Sequence, residues 1–363
     1  MREMKSPEEK NSRSTKMENK KVRFAVVGVH SIAKSHIEGI RKLPFAELAA
    51  ICDIHEEFAR PCAEKYGLST YYLDYNDMLR AGGFDCVVIC TPDQVHRQQA
   101  VAALEAGYHV LCEKPLAMTM ADCRAIVEAA KKSNKKFMVG QVCRKTPAFI
   151  LAKQLVDEGR IGELFFVESE YAHNYDIIED IDGWRRDPVN LRYPLVGGGC
   201  HAVDLLRWIA GDPTEVFAYA NHKALPHWPV DDCTVAIFKY PNDVIGKVMT
   251  SIGCHRPYTM RTVLYGTKGT IITDNKSPTL TLYQDYTYAK DGAHQKTTYL
   301  PTELPVDINS HNMTAEIEDM CRIILEDAPV ECDVLAGANT VAVCHAAIRS
   351  AAEGKPCAPE YFS

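Results

Sequence analysis

No run of about 18 apolar residues occurs in the 363-residue chain, so no segment reads as a membrane-spanning helix. No stretch is basic enough to act as a footprint for nucleic acid. The 41 Lys and Arg are scattered and outnumbered by 48 Asp and Glu, for a formal net charge of −7. That balance gives no pull toward an anionic membrane surface either. The 14 cysteines include no C-x-x-C pair, which argues against zinc ribbons and thioredoxin-like redox centres. No set of His, Cys, Asp or Glu has metal-ligand spacing, so no metal is expected. The first twenty residues (MREMKSPEEKNSRSTKMENK) have no apolar core and no aromatic residue, so they read as a disordered extension and not as a signal peptide. The expectation is a cytoplasmic protein whose thiols act mainly as small hydrophobes.

What is present is 46% hydrophobic residues and a length that suits two domains. Val22 to Gly28, Glu47 to Asp53, Asp85 to Cys90, His109 to Cys112 and Phe137 to Gly140 read as short, continuously apolar strands. They alternate with helical patterns at Ile32 to Leu43, His55 to Tyr66, Val95 to Ala106 and Thr119 to Lys132. Strands apolar throughout and separated by helices predict a doubly wound parallel sheet over 21–145. Beyond about residue 150 the rhythm becomes strand-rich. Gly162 to Ala172, Thr214 to Asn221, Cys233 to Tyr240, Val244 to Ile252, Arg261 to Tyr265 and Thr279 to Tyr283 predict a large, mainly antiparallel sheet. Helices follow at His311 to Leu325 and Val334 to Ala352, giving an α+β domain over 146–363 whose last helix packs back toward the first domain. The fold class is therefore α/β with an added α+β domain.

Gly28, His30, Ser31, Ile32 and Ala33 lie in the turn after the first strand, where a G-x-G-x-x-G/A fingerprint would hold pyrophosphate at a helix N-terminus. His30 and Ala33 replace the second and third glycines. Asp53, ending the second strand, would accept from an adenosine ribose and repel a 2′-phosphate, which favours NAD over NADP. On these residues alone a dinucleotide site and an ordinary β–α turn beside a solvated aspartate both stay open.

Two later stretches are more specific: Thr91-Pro92-Asp93-Gln94-Val95-His96, and Ala106-Gly107-Tyr108-His109-Val110-Leu111-Cys112-Glu113-Lys114-Pro115-Leu116-Ala117. With Val139-Gly140-Gln141, Arg144, Gly159-Arg160-Ile161-Gly162 and Gly197-Gly198-Gly199-Cys200-His201-Ala202-Val203-Asp204, they resemble the glucose-fructose oxidoreductase, inositol dehydrogenase and MocA family. The resemblance spans nearly all of the chain after residue 20. It implies an NAD-binding Rossmann domain and a second domain whose sheet carries the substrate site and a homo-oligomer interface, dimer or tetramer. It also implies hydride transfer at a secondary hydroxyl of a sugar, glycoside or cyclitol.

By position, Lys114 matches the family's catalytic lysine and His201 its general base or acid. Imidazole suits a proton acceptor at working pH, and a lysine beside the alcohol oxygen stabilises developing alkoxide. Asp204, three residues on, is expected to orient His201 from the same helix side. The resemblance places Thr91, Pro92, His96, Glu113 and Arg144 around the cofactor, and gathers substrate contacts near Tyr171, His173, Asp182, Trp184 and Arg185. Tyr171 and Arg185 are the substrate candidates, with strand-core and solvated roles respectively as their alternatives. One departure stands out: many relatives carry Asp where this chain has Gly197. Cys52, Cys90, Cys112 and Cys200 each precede a candidate site residue and are expected to be packing at tight backbone. Three readings stay open: a sugar or polyol dehydrogenase, a redox-neutral glycoside-cleaving enzyme that retains NAD, and a non-catalytic nucleotide sensor.

Overall fold

The structure, a computed structural model, describes residues 20–178, 180–290 and 294–363. The extension expected over 1–20 thus lies, except for Lys20, outside the described residues. The chain divides into two compact units. One holds the residues up to Ala117, Ala121–Gly140 and Met313–Ala336; the other holds Met118–Met120, Gln141–Asn312 and Gly337–Ser363. These are not the two contiguous ranges read from sequence: residues 141–145 group with the second unit and the helix after 312 with the first.

The first unit follows the expected alternation: β1 (Val22–Val27), α1 (Ala33–Lys42), β2 (Ala46–Cys52), α2 (Glu56–Tyr66), α3 (Tyr75–Ala81), β3 (Cys86–Ile89), α4 (His96–Glu105), β4 (His109–Glu113), α5 (Met120–Lys132) and β5 (Phe137–Gly140). Its five strands are all parallel in the order β2-β1-β3-β4-β5. Strands such as β3 and β5 are buried at every residue, as a sheet covered on both faces requires. The order reverses between β1 and β3, and ligands of such sheets sit beyond the strand ends at that point. Pro61 lies inside α2 on its exposed side, where water can solvate the carbonyl that loses its partner. The short α3 has too few residues to show a period, and is set instead by Asp74, whose carboxylate accepts from the N–H groups of Asn76 and Asp77.

The second unit contains α6 (Pro147–Asp157), β6 (Leu164–Ala172), α7 (Pro194–Gly197), α8 (Cys200–Ala210), β7 (Glu215–Asn221), β8 (Cys233–Lys239), β9 (Ile245–Ser251), β10 (Arg261–Gly266), β11 (Gly269–Asp274), β12 (Thr279–Lys290) and β13 (His294–Pro305). The sheet order is β13-β12-β11-β10-β6-β9-β8-β7, antiparallel except for the pair β6–β9. The sequence pattern predicts neither β11 nor β13. β13 carries Pro301 and Pro305, which argue against a central strand and are tolerated because β13 is an edge. α6 was likewise hidden, although Pro147 at its first turn is a sound start signal. Along β8 Thr234, Ala236 and Phe238 point inward, while Val235 and Ile237 face out. α8 packs on the inner side against β6 and β9.

Helix α9 (Met313–Leu325) returns to the first unit, where Ile317, Met320 and Cys321 join Phe24, Ile37 and Ile40 in one core. A Cβ on Gly39 would come within 3.2 Å of Thr314 Cα, so the glycine permits this close helix approach. The last helix, α10 (Val334–Glu353), ends at Gly354 with φ +67°, as its stop signal predicts. Among the described residues no helix is long and apolar enough to cross a membrane.

Candidate functional site

Gly28 ends β1 with φ +77°, and a Cβ there would lie 2.9 Å from both Cγ2 and the backbone nitrogen of Thr91. Only glycine lets the β1 and β3 ends approach this closely, and Ser31 at φ +46° completes the tight turn. The turn enters α1 at Ile32, whose side chain makes no cap hydrogen bond. His30 packs its ring 4.8 Å from Phe58. Asp53 is 7% exposed; its Oδ2 accepts from Val29 N–H at 2.9 Å and its Oδ1 from His55 N–H at 2.9 Å. A carboxylate has lone pairs beyond these two, so Asp53 is fixed in place without exhausting its acceptors. These residues fit a dinucleotide: a glycine notch no Cβ can enter, a helix start without a side-chain cap, and an anchored carboxylate at the end of β2. Gly28→Ala is expected to cost on the order of 1–3 kcal/mol in strain. It should weaken NADH binding at least tenfold, which fluorescence titration and a melting curve would check.

Thr91 and Pro92 are partly buried after β3, with Thr91 Oγ1 donating to Gln99 Oε1 at 2.6 Å. His96 is fully buried, its ring nitrogens 2.9 Å from the Pro115 carbonyl and 3.0 Å from the Thr91 carbonyl. It ties the turn after β3 to the Glu113-Lys114-Pro115 turn, a positioning place and not an exposed contact. Lys114 is partly buried at the end of β4.

Glu113, expected at a ribose, is committed inside the protein: Oε1 lies 2.8 Å from His36 Nε2 and Oε2 accepts from Lys114 N–H at 3.2 Å. Burial pushes its carboxyl up, but the His36 hydrogen bond and charge, with Lys114, outweigh this and hold it below its ordinary value of 4.5. His36, Glu113 and Glu316 are all buried, with ligand atoms within 4.8 Å of one another. The His36–Glu113 bond ties α1 to the end of β4, and Glu316 brings α9 alongside them. A depressed carboxylate stabilises the fold above its unfolded value, and that stabilisation is lost as pH falls through the folded one. His36→Gln should therefore move the acid-unfolding limb to higher pH, as circular dichroism would show; an unmoved limb would contradict this.

On the second unit, three consecutive glycines bring bulky groups together beside His201. A Cβ on Gly197 would lie 2.2 Å from Arg192 Cζ; on Gly198, 2.4 Å from Tyr175 Oη and 2.6 Å from Tyr171 Cε1; on Gly199, 2.1 Å from Thr250 Oγ1. His201, second residue of α8 and 2% exposed, stacks on Tyr171 with centroids 6.4 Å apart at 28° and meets His311 edge-on at 6.4 Å. Tyr258 lies 5.4 Å from Tyr171 and stacks on His311 at 5.5 Å. The Tyr171 hydroxyl is 3.2 Å from both His173 Nδ1 and the Tyr175 hydroxyl. Burial pushes the Tyr171 and Tyr258 phenols well above their usual range, so both stay protonated donors. Tyr258, His311 and Arg192 were not legible in the sequence: no local spacing connects them to His201.

Asp204 does not take the expected place beside His201. Its Oδ2 and Oδ1 accept from Arg144 Nε at 2.7 Å and Nη2 at 2.8 Å, and Oδ1 also accepts from Thr340 Oγ1 at 2.9 Å. Arg144, expected at the nicotinamide, is 6% exposed within the second unit, its guanidinium 6.0 Å from the Trp208 ring. The i,i+3 spacing puts His201 and Asp204 on one helix, but the fork of Arg144 claims both carboxylate oxygens. Arg185 lies over Trp184 at 4.3 Å, its Nη1 3.6 Å from Asp180 Oδ1.

Cys52, Cys112 and Cys200 are buried and Cys90 partly so. Burial pushes Cys52 up to about 12, and Cys90 and Cys112 well above the ordinary thiol range. Thiols so far from ionisation are packing groups.

Comparison with known proteins accords with these two halves. Residues 22–141 match the model of an oxidoreductase family with an NAD-binding Rossmann fold, and residues 149–272 match the GFO/IDH/MocA C-terminal domain. The chain is 27% identical to the myo-inositol 2-dehydrogenase of Thermotoga maritima over 277 residues, covering 73% of this chain and 78% of that one. Among solved structures, an oxidoreductase domain protein from Kribbella flavida superposes with a TM-score of 0.81 at 26% identity, covering 94% and 99% of the two chains. A levoglucosan dehydrogenase in complex with NADH and levoglucosan shares the fold, with a TM-score of 0.82 at 22% identity over 94% and 100%. The chain belongs to the Gfo/Idh/MocA family of NAD-binding oxidoreductases.

Proposed function

We propose that the protein is an NAD-dependent dehydrogenase of a secondary hydroxyl on a sugar, glycoside or cyclitol. The observation that carries this is His201, a buried imidazole in an aromatic wall on the unit that does not bind nucleotide. Aromatic faces suit the C–H surfaces of a sugar ring, and an imidazole among them suits a carbinol proton. NAD, when bound, supplies or accepts the hydride at its nicotinamide ring. The Gly28 turn with Ser31 and Ile32 holds the pyrophosphate, Asp53 accepts from the adenosine ribose, and Thr91 and Pro92 border it. His201 takes the hydroxyl proton in oxidation and returns it in reduction. Lys114 Nζ donates to the carbinol oxygen as negative charge develops there. Tyr171 and Tyr258 form the sugar-facing wall, with Arg185 toward its rim. Arg144 and Asp204 position α8, and with it His201, without touching substrate.

The reading extends to assembly and place. The outer sheet face exposes Tyr219, Val235, Ile237 and Ile245 in adjacent strands, with Lys239 and Lys247 paired among them, a mixed surface suited to a dimer or tetramer through this sheet. The thiols suit the cytoplasm. The test supplies NAD with a panel of sugars, cyclitols and glycosides and follows cofactor absorbance and products together. Reduction of NAD with a ketone product is expected. Glycoside cleavage without net NADH would replace this reading with the redox-neutral one, and silence with every class would sink both.

A further inference from the structure

We infer that Trp228, in the loop between β7 and β8, is a positioning residue for substrate binding: it braces the tyrosine pair that holds the aromatic wall against His201, a role that rests on the dehydrogenase reading. Trp228 is 4% exposed, its ring 5.5 Å from that of Tyr175 at 57°. Tyr175 is itself buried; its hydroxyl lies 3.2 Å from the Tyr171 hydroxyl, and Tyr171 stacks on His201. The backbone before α8 closes against the same two phenols, since a Cβ on Gly198 would stand 2.4 Å from Tyr175 Oη and 2.6 Å from Tyr171 Cε1. Indole, two phenols and imidazole thus form one packed series within the second unit. Close packing leaves few voids to absorb a displacement, so a shift at the indole reaches the ring that covers His201.

The loop is built to hold the indole. Asp232, 1% exposed, accepts from Leu225 N–H at 2.8 Å, and the Leu225 carbonyl accepts from His222 Nε2 and from the Trp228 backbone N–H, each at 2.9 Å. Asp176, the residue after Tyr175, accepts through Oδ1 from Trp228 Nε1 at 3.2 Å and from His227 Nε2 at 2.8 Å. The polar atom of the indole is therefore tied to the neighbour of the phenol it packs on, which fixes the angle between the two rings. The Asp176 and His227 side chains are 41% and 49% exposed, and a pair so exposed adds little to stability. What the contact supplies is orientation.

The test compares Trp228→Leu, Trp228→Phe and Asp176→Ala with the native full chain, on the sugar or cyclitol that reduces NAD fastest. An aromatic contact is worth about 2- to 12-fold in an equilibrium constant. Trp228→Leu should therefore raise KM about tenfold, and Trp228→Phe, which keeps a ring on Tyr175, about threefold or less. Asp176→Ala should raise KM about threefold at nearly unchanged melting temperature. NADH affinity should stay constant throughout. A merely structural role predicts otherwise, because less folded protein lowers kcat and leaves KM unchanged. A second measurement needs no turnover: with isotope-labelled histidine, the NMR signals of the His201 ring, assigned through His201→Phe, should move in Trp228→Leu and Asp176→Ala as the stacked tyrosine shifts. In an active protein, a KM for Trp228→Leu within about twofold of native would overturn the inference, and so would unmoved His201 signals. Moved signals in a protein that turns over no compound would uphold the brace and overturn the dehydrogenase reading instead.

Discussion

His201→Ala should lower turnover by about 10²- to 10⁴-fold, the range that removal of a positioned acid–base group costs. NADH affinity should be unchanged, because Gly28, Asp53, Thr91 and Pro92 all belong to the first unit and His201 to the second. The imidazole also packs against Tyr171 and His311, so its removal disturbs the aromatic wall as well as the chemistry. Two further readings separate these effects. Free imidazole in the assay should restore part of the rate if a proton acceptor is what was lost, whereas a packing defect gives no rescue. His201→Phe should restore the wall and melting temperature but not turnover. Activity within a few fold of native in either variant would remove His201 from the chemistry.

Breaking the Arg144–Asp204 pair is expected to be the largest stability effect. Both side chains are at most 6% exposed and share two hydrogen bonds, so deleting one partner leaves the other charge buried without its counter-ion. Such losses cost about 3–5 kcal/mol. For a unit of this size that is a fall of roughly 6–20 °C in melting temperature. Arg144→Met and Asp204→Leu should each show it singly, and the double variant should regain much of the loss, because an apolar pair does not need the counter-ion. Thr340 donates to the same carboxylate and Arg207 Nη1 donates to Thr340 at 2.7 Å, so Asp204→Leu should be the more damaging single change. Equal melting of native and single variants would contradict the buried pair.

The parallel sheet was legible because its strands are apolar at every position and its turns carry local marks: Gly28 at positive φ, Gly67 closing α2, Asp53 at the end of β2. Lys114 and His201, the proposed catalytic pair, are singled out only by their motifs. What the sequence did not show is set by partners distant along the chain. Glu113 meets His36 from 77 residues away, and Asp204 meets Arg144 from 60. Spacing within a helix can say that His201 and Asp204 share a side; it cannot say that a guanidinium from another element binds the carboxylate first. Arg192 was hidden for the same reason, although Gly197-Gly198-Gly199 was its signal. A run of glycines marks a backbone that large side chains approach, here Arg192, Tyr171 with Tyr175, and Thr250. The edge strand β13 was masked by prolines that only an edge accepts.

Isotope transfer tests hydride chemistry at a carbinol most directly. A sugar or cyclitol that reduces NAD in the panel is prepared with deuterium on the carbinol carbon, and the nicotinamide product is examined by mass spectrometry and proton NMR. One deuterium should appear on the nicotinamide ring for each ketone formed, on a single face, and the rate of transfer should fall about 10²- to 10⁴-fold in His201→Ala. Product ketone with no deuterium on the nicotinamide would contradict direct hydride transfer.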